Sequence, residues 1–214
     1  MCKKFEYIIW DWNGTLLDDA QICVDVMNQS LQKRNMPLSN LELYKNRFCF
    51  PVINYYKLLG FDFDKESFEE IGTEFMLQYN ELYKNAKLIE NAKEVLGSYK
   101  NKGLKQYILS ASQIHNIKAQ LEFYNLTDFF EEVIGLDHIF ATSKIEAGKN
   151  WLHKIGIPPE KIIMFGDTNH DYETAMELEC NIALIANGHQ TKERLMKTSA
   201  PVLDSILETK VFIK

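Results

Sequence analysis

The sequence predicts an α/β fold, a doubly wound parallel sheet carrying an inserted all-helical domain, and three observations support this. Short runs rich in β-branched and aromatic residues recur at Tyr7-Ile8-Ile9-Trp10, Gln106-Tyr107-Ile108-Leu109, Val133-Ile134, Ile162-Ile163-Met164-Phe165 and Ile182-Ala183-Leu184-Ile185. They are too short for helices and lack polar alternation, as expected of strands buried on both faces. A helical pattern or a glycine separates each run from the next, which implies parallel strands joined by crossovers. Almost a hundred residues between the first two runs hold only helical signals, too many for one crossover helix.

The first run ends at Asp11 and meets Asn13-Gly14, a turn signal, so Asp11 is expected at a strand's C-terminal end. Asp18 or Asp19 can cap a helix reaching about Asn35, before Pro37. Ser39 with Glu42 has the spacing of a capping box for a second helix. Pro51 to Leu59, closed by Gly60, has a proline start and a glycine stop. Asp64 to about Asn85 supplies a longer amphipathic helix. Residues 18–88 therefore form the inserted helical domain and residues 1–17 with 89–214 the core; no Pro/Gly/Ser-rich linker joins them, so the hinges are short. Further helices are expected near Asn91–Asn101, Ser112–Tyr124, Lys144–Ile155 and Thr168–Leu178, with Ser112 and Thr168 as N-caps. A short edge strand is expected within Ala200-Pro201-Val202-Leu203.

Composition narrows the function classes. The formal charge of −6 argues against a broad nucleic-acid-binding face, which needs excess Lys and Arg, but leaves room for a small anionic substrate. Cys2, Cys23, Cys49 and Cys180 lie too far apart for a zinc spacing or a compact disulfide framework, which suits a reduced cytoplasmic setting. Asp11 interrupts the N-terminal apolar run, so no signal peptide is expected, and no run approaches the length of a membrane span. Monomer and homodimer remain equally open.

Chemistry concentrates at three strand ends: Asp11 after the first, Ser110 after the second, and Gly166-Asp167-Thr168-Asn169-His170-Asp171 after the fourth. In an open parallel sheet the ligand crevice lies outside the carboxyl ends of the strands, where these groups can converge. Together they resemble the haloacid dehalogenase-like superfamily, whose motifs are Asp-x-Asp-x-Thr, a Ser or Thr ending a strand, a Lys, and Gly-Asp-x-x-x-Asp. The insertion sits where that superfamily places a cap, and the phosphoglycolate phosphatase and β-phosphoglucomutase branch is the most similar. The resemblance implies a Mg²⁺-dependent phosphatase of a small phosphorylated metabolite, working through an aspartyl phosphate. Asp11 would be nucleophile and metal ligand, Asp167 a second ligand, and Asp171 a ligand or a carboxylate just behind the metal. The Asn13 backbone carbonyl would also bind metal. Ser110, Ala111 and Thr15 would serve the phosphoryl group, and Lys144 would balance its charge, with Lys149 as the other candidate.

These roles make physical sense. A carboxylate attacks an anionic phosphate ester only when charge is screened, which an oxygen-ligated Mg²⁺ does. N–H groups near Ala111 and Ser112 favour an anion, and a lysine offsets charge developing in the transition state.

One residue departs from the pattern. The family's phosphatases carry a second Asp where this chain has Asn13, and that Asp protonates the leaving alkoxide and then activates water. An amide does neither, so ester hydrolysis should be slower by about 10²–10⁴. Three explanations compete: a substrate with a good leaving group; carbon–phosphorus or carbon–halogen cleavage, with Lys45 and Lys57 as candidate imine formers in the former; or a regulatory phospholigand-binding protein with little turnover. Asn13-Gly14 is also prone to deamidation, which would create an Asp.

Other candidates are ambiguous in sequence. Arg47, in Arg47-Phe48-Cys49-Phe50-Pro51, could hold an anionic or ring-bearing substrate or be a surface arginine. Tyr55, Tyr56, Tyr79 and Tyr83 recur at helical spacing and read as packing residues. His170, inside the fourth motif, is a candidate proton donor in place of Asn13 but is expected rather to face solvent or a neighbouring helix; His189 falls at the crevice end of the fifth strand, and His115, His138 and His153 read as structural.

Overall fold

A computed structural model describes residues 5–213; Cys2 lies outside them. In chain order the elements are β1 (Tyr7–Trp10), β2 (Leu17–Asp18), α1 (Ala20–Lys33), α2 (Leu41–Arg47), α3 (Val52–Leu59), α4 (Phe68–Leu82), β3 (Lys87–Leu88), α5 (Ala92–Asn101), β4 (Lys105–Gln113) and α6 (Ile114–Phe123). They continue through β5 (Glu132–Leu136), α7 (Ile145–Ile155), β6 (Ile162–Gly166), α8 (Asn169–Glu177), β7 (Asn181–Ile185), α9 (Lys192–Leu195) and β8 (Val202–Leu203).

Six strands form a sheet in the order β5-β4-β1-β6-β7-β8, and every pairing in it is parallel. Side chains on β1 alternate between two cores. Ile8 and Trp10 join α5 and α6 residues such as Val95, Tyr99, Ile117 and Leu121 on one face, while Ile9 joins Trp151 of α7 and Ala175 of α8 on the other. Both faces are therefore dry, which explains runs without polar alternation. Full burial of each β1 isoleucine is worth roughly 1.5–3 kcal/mol. The two tryptophans keep their N–H groups satisfied: Trp10 donates to Gln106 at 3.1 Å and Trp12 to Gln120 at 2.5 Å.

Helices α1 to α4 leave and rejoin the core through β2 and β3, an antiparallel pair in which Leu17 faces Leu88 and Asp18 faces Lys87. Two-residue strands carry no periodicity, so sequence reading passes over them. These helices have their own core of Val24, Met27, Leu31, Tyr44, Tyr56 and Ile71 with neighbouring aromatics.

Several boundaries differ from expectation for identifiable reasons. Asn40, not Ser39, caps α2, accepting from the Leu43 N–H at 2.9 Å. Ser39 is instead fastened to α1 by two hydrogen bonds with the Asn28 amide. Helix α4 starts at Phe68 rather than Asp64, because Ser67 and Glu70 form the capping box. Ser112 caps nothing: β4 runs on to Gln113, and α6 begins after it. Thr168 does cap α8, in a capping box with Asp171.

Candidate active site

Strand β1 lies between β4 and β6, so their three carboxyl ends bring Asp11, Ser110 and Asp167 together. Lys144 occupies the N-cap position of α7 and its side chain is 3% exposed. Its ammonium lies 2.6 Å from Asp11 Oδ1 and 2.5 Å from Asp171 Oδ1, and it also donates to the Leu109 carbonyl at 3.1 Å. Lys149 is one turn further on, partly exposed and paired with Glu177 at 2.6 Å. Of the two candidate lysines, only Lys144 reaches the carboxylates.

Asp167 is fully buried and held from two sides: Thr15 Oγ1 donates to Oδ1 at 2.8 Å, and the His189 backbone N–H donates to Oδ2 at 2.6 Å. Thr15 thus orients a carboxylate. Two glycines make the space: a Cβ on Gly14, where φ is +77°, would lie 2.3 Å from Asp167 Oδ2, and one on Gly188 would lie 2.1 Å from it. Asp171 spends Oδ2 on the Asp167 N–H, the Thr168 N–H and the Thr168 hydroxyl, and Oδ1 on Lys144. That makes it a positioner of Lys144 first.

The charges do not balance. Asp11, Asp167 and Asp171 each offer an oxygen, all within 4.8 Å of one another, and one buried ammonium faces them. Burial, with Asp171 and Asp167 nearby, pushes Asp11 up to about 8 against the pull of Lys144. Burial likewise takes Asp167 up to about 6 despite His189. Burial also acts to raise Asp171, but Lys144 and the Thr168 hydroxyl outweigh it and hold Asp171 low. A surplus of buried carboxylate oxygens fits a hard divalent cation such as Mg²⁺.

Asn13 is bound into a polar network. Its amide donates to Asp19 Oδ2 at 2.7 Å and to the Tyr79 hydroxyl at 2.8 Å, and its carbonyl accepts from Ser112 Oγ at 2.8 Å. Asp19 is fully buried; it also accepts from the Gly14 N–H at 3.1 Å and the Tyr79 hydroxyl at 2.6 Å. His189 Nε2 lies 3.3 Å from Asp19 Oδ1, and its Nδ1 pairs with the Tyr44 hydroxyl at 2.7 Å. Burial alone would pull His189 down, but the nearby Asp19 outweighs it and pushes it up to about 9. Asp19 itself, raised by burial, is brought below its usual value by His189 and the donors around it. The Gly14 nitrogen, which must attack the Asn13 side chain for deamidation, donates to Leu17 O and Asp19, so the fold opposes that reaction.

Sequence reading missed most of this network. Asp19 sits at the N-cap of α1 without capping it, because its carboxylate turns inward. Tyr79 packs, stacked on Phe75, yet its hydroxyl is engaged. Asn13 was the available signal: an amide where a carboxylate is usual invites a search for a carboxylate nearby.

Ser110 and Ala111 lie on an irregularity of β4, where register against β5 shifts between Leu109 and Gln113. They line one cavity with Asp11, Asn13 and Lys144. Arg47, the last residue of α2 rather than part of a loop, is exposed and outside that cavity, whereas Phe48 and Phe50 just after it line the cavity. Lys45 and Lys57 do not line it; Lys45 Nζ lies 3.5 Å from the Asn187 carbonyl and Lys57 is exposed. His170 is buried rather than solvent-facing, stacked on Phe50 at 4.7 Å between ring centres.

Comparison with known proteins bears on family and fold. Residues 8–185 match the family described as haloacid dehalogenase-like hydrolase. A pyrophosphatase PpaX from Oceanobacillus iheyensis is 22% identical over 84% of this chain and 82% of its own length. A phosphoglycolate phosphatase from Aliivibrio fischeri is 21% identical over 95% of this chain and 93% of its own. Among solved structures, a haloacid dehalogenase-like hydrolase from Streptococcus pneumoniae superposes with a TM-score of 0.85 at 18% identity, covering 97% of this chain and 98% of that one. With a family match spanning most of its length and the motif residues gathered at one crevice, the chain belongs to the haloacid dehalogenase-like hydrolases.

Proposed function

We propose that the protein is a Mg²⁺-dependent phosphatase of a small phosphorylated metabolite, with Asp11 as nucleophile. The observation that carries this reading is Lys144, buried between Asp11 and Asp171 beside the surplus carboxylate of Asp167. Asp11, Asp167 and the Asn13 backbone carbonyl would hold the cation, with Asp171 behind them. When bound, it supplies charge screening that lets a carboxylate approach a phosphate dianion. Ser110, whose Oγ accepts from the Ser112 N–H at 3.1 Å, donates its hydroxyl to a phosphoryl oxygen, joined by the backbone N–H of Ala111. Lys144 stabilises the charge that grows on the phosphoryl oxygens in the transition state. Asp11 takes the phosphoryl group and water later removes it. Asn13 contributes hydrogen bonds and no proton transfer. Helices α1 to α4, which contribute most of the cavity's aromatic lining, act as the cap that selects the leaving group.

A regulatory, non-catalytic reading leaves the buried Lys144 and the three carboxylates without a task. Phosphonate cleavage through an imine lacks a free lysine: Lys45 and Lys57 lie outside the cavity, and Lys144, which lines it, is held by Asp11 and Asp171. The deciding measurement uses acetyl phosphate, whose leaving group needs no proton. Mg²⁺-dependent phosphate release, with a phosphoryl mass increment trapped on the Asp11 peptide and absent from Asp11→Asn, is expected. Turnover that survives in Asp11→Asn would remove Asp11 from the chemistry.

A further inference from the structure

We infer that the substrate is the phosphate monoester of an uncharged aryl alcohol carrying a single aromatic ring. This rests on the phosphatase reading above and names its leaving group. Two independent features converge on it: the lining of the cavity beyond the phosphoryl site, and the missing proton donor at Asn13.

The cavity that holds Asp11, Ser110 and Lys144 extends into a space walled by Phe48, Phe50, Tyr55, Phe68, Phe75 and Phe140. The whole cavity, phosphoryl site included, has a volume of about 130 Å³, which leaves room for a small leaving group only. Rings prefer offset or edge-to-face neighbours, and the walls already pack that way, as in Phe48 against Phe50 at 5.3 Å and 76°. An aromatic guest continues the same pattern.

A charged leaving group finds no partner there. Among the described residues, the cations lining the cavity are Lys144, spent on Asp11 and Asp171, and His189, whose two ring nitrogens face Asp19 and Tyr44. No arginine lines it: Arg194 is turned to the Lys45 and Phe48 carbonyls, and Arg34 is paired with Glu66 and Glu74. A carboxylate or second phosphate on the leaving group would be desolvated beside Asp19 without a counter-ion, which is strongly unfavourable.

The chemistry points the same way. An aliphatic alkoxide approaches hydroxide in basicity, water having a pKa of about 15.7, and departs well only with a proton that Asn13 cannot give. A phenol, like the tyrosine side chain, has a pKa of about 10 and departs as the anion. Asp11 forms a bond to phosphorus as the P–O(aryl) bond breaks, its electron pair leaving on the aryl oxygen. Water then attacks phosphorus, the Asp11 O–P bond breaks and inorganic phosphate is released. The proton lost by that water matches the one the phenolate takes from solvent.

The test compares kcat/KM, in Mg²⁺, for phenyl phosphate, 4-carboxyphenyl phosphate, phosphoglycolate and acetyl phosphate. Phenyl phosphate is expected to exceed both carboxylate-bearing esters by at least about 100-fold, because the site offers those groups no partner. Placing a cation on the cavity wall with Phe140→Arg is expected to narrow the gap with 4-carboxyphenyl phosphate to about 10-fold or less. Acetyl phosphate separates the two levels of inference. If it is hydrolysed while phosphoglycolate or the carboxylated ester matches phenyl phosphate, the aryl assignment is overturned and the phosphatase stands. If neither it nor any ester turns over, and Asp11 gains no phosphoryl group, the phosphatase reading fails with it.

Discussion

The side-chain amide of Asn13 donates to the buried carboxylate of Asp19 at 2.7 Å. A carboxylate thus sits beside position 13 although none occupies it. Replacing Asn13 with Asp would bring two buried acids into contact, and like charges at that range cannot both ionise cheaply. Asn13→Asp should lose about 2–3 kcal/mol, a fall in Tm of roughly 5–10 °C for a chain of this size. Adding Asp19→Asn should restore most of it, as thermal unfolding of the single and double variants will show. Additive losses would mean the two side chains do not interact.

Lys144 lies between two buried carboxylates, whereas Lys149 makes an exposed pair with Glu177. Breaking a buried ion pair by removing one partner costs about 3–5 kcal/mol, while exposed pairs are worth about 0–1. Lys144→Met should therefore unfold well below wild type and lose about 10²–10³ in kcat. Lys149→Ala should stay close to wild type in both. Comparable losses in the two variants would contradict the placement of Lys144.

Gly188 lets the backbone approach Asp167 so closely that an added Cβ would meet its carboxylate at 2.1 Å. Gly188→Ala must push that carboxylate aside, and the Mg²⁺ concentration for half-maximal activity should rise at least about tenfold. Gly103→Ala is the control: φ there is +79°, but nothing lies within 4 Å of the added Cβ. It should cost about 1 kcal/mol of stability and leave Mg²⁺ dependence unchanged. Equal Mg²⁺ dependence in the two variants would show that Asp167 does not hold the metal.

The contrast between Lys144 and Asp19 shows which parts of the site sequence could reach. Asp11 and Asp167 directly follow β1 and β6 and Lys144 opens α7, positions the element pattern reaches, whereas Ser110 lies inside β4, short of its end at Gln113. Asp19, Tyr79 and His189 meet only because α4 folds back some sixty residues later and the loop after β7 closes over them. No local pattern encodes that. Ser112 was misplaced because the irregularity in β4 prolongs a strand where hydrogen-bonding propensity alone suggests a cap. The aromatic lining was visible as composition, but tyrosine and phenylalanine at helical spacing look alike whether they face a core or a cavity.

The His189–Asp19 pair should make stability pH-dependent in metal-free protein. His189 is raised to about 9 in the fold, against about 6.5 in an unfolded chain. A base raised on folding binds its proton more tightly in the native state. Its contribution is therefore complete below about pH 6.5 and fades as pH climbs through about 9. The shift corresponds to roughly 3 kcal/mol. Asp11 is also raised, to about 8, so its carboxyl too loses stability as pH rises, from about 4 to 8. His189→Gln separates the two, because it removes the imidazole and leaves Asp11 in place. Urea midpoints in EDTA at pH 6 and pH 9.5 should differ more for wild type than for His189→Gln. Equal differences would mean that the imidazole is not cationic in the folded protein.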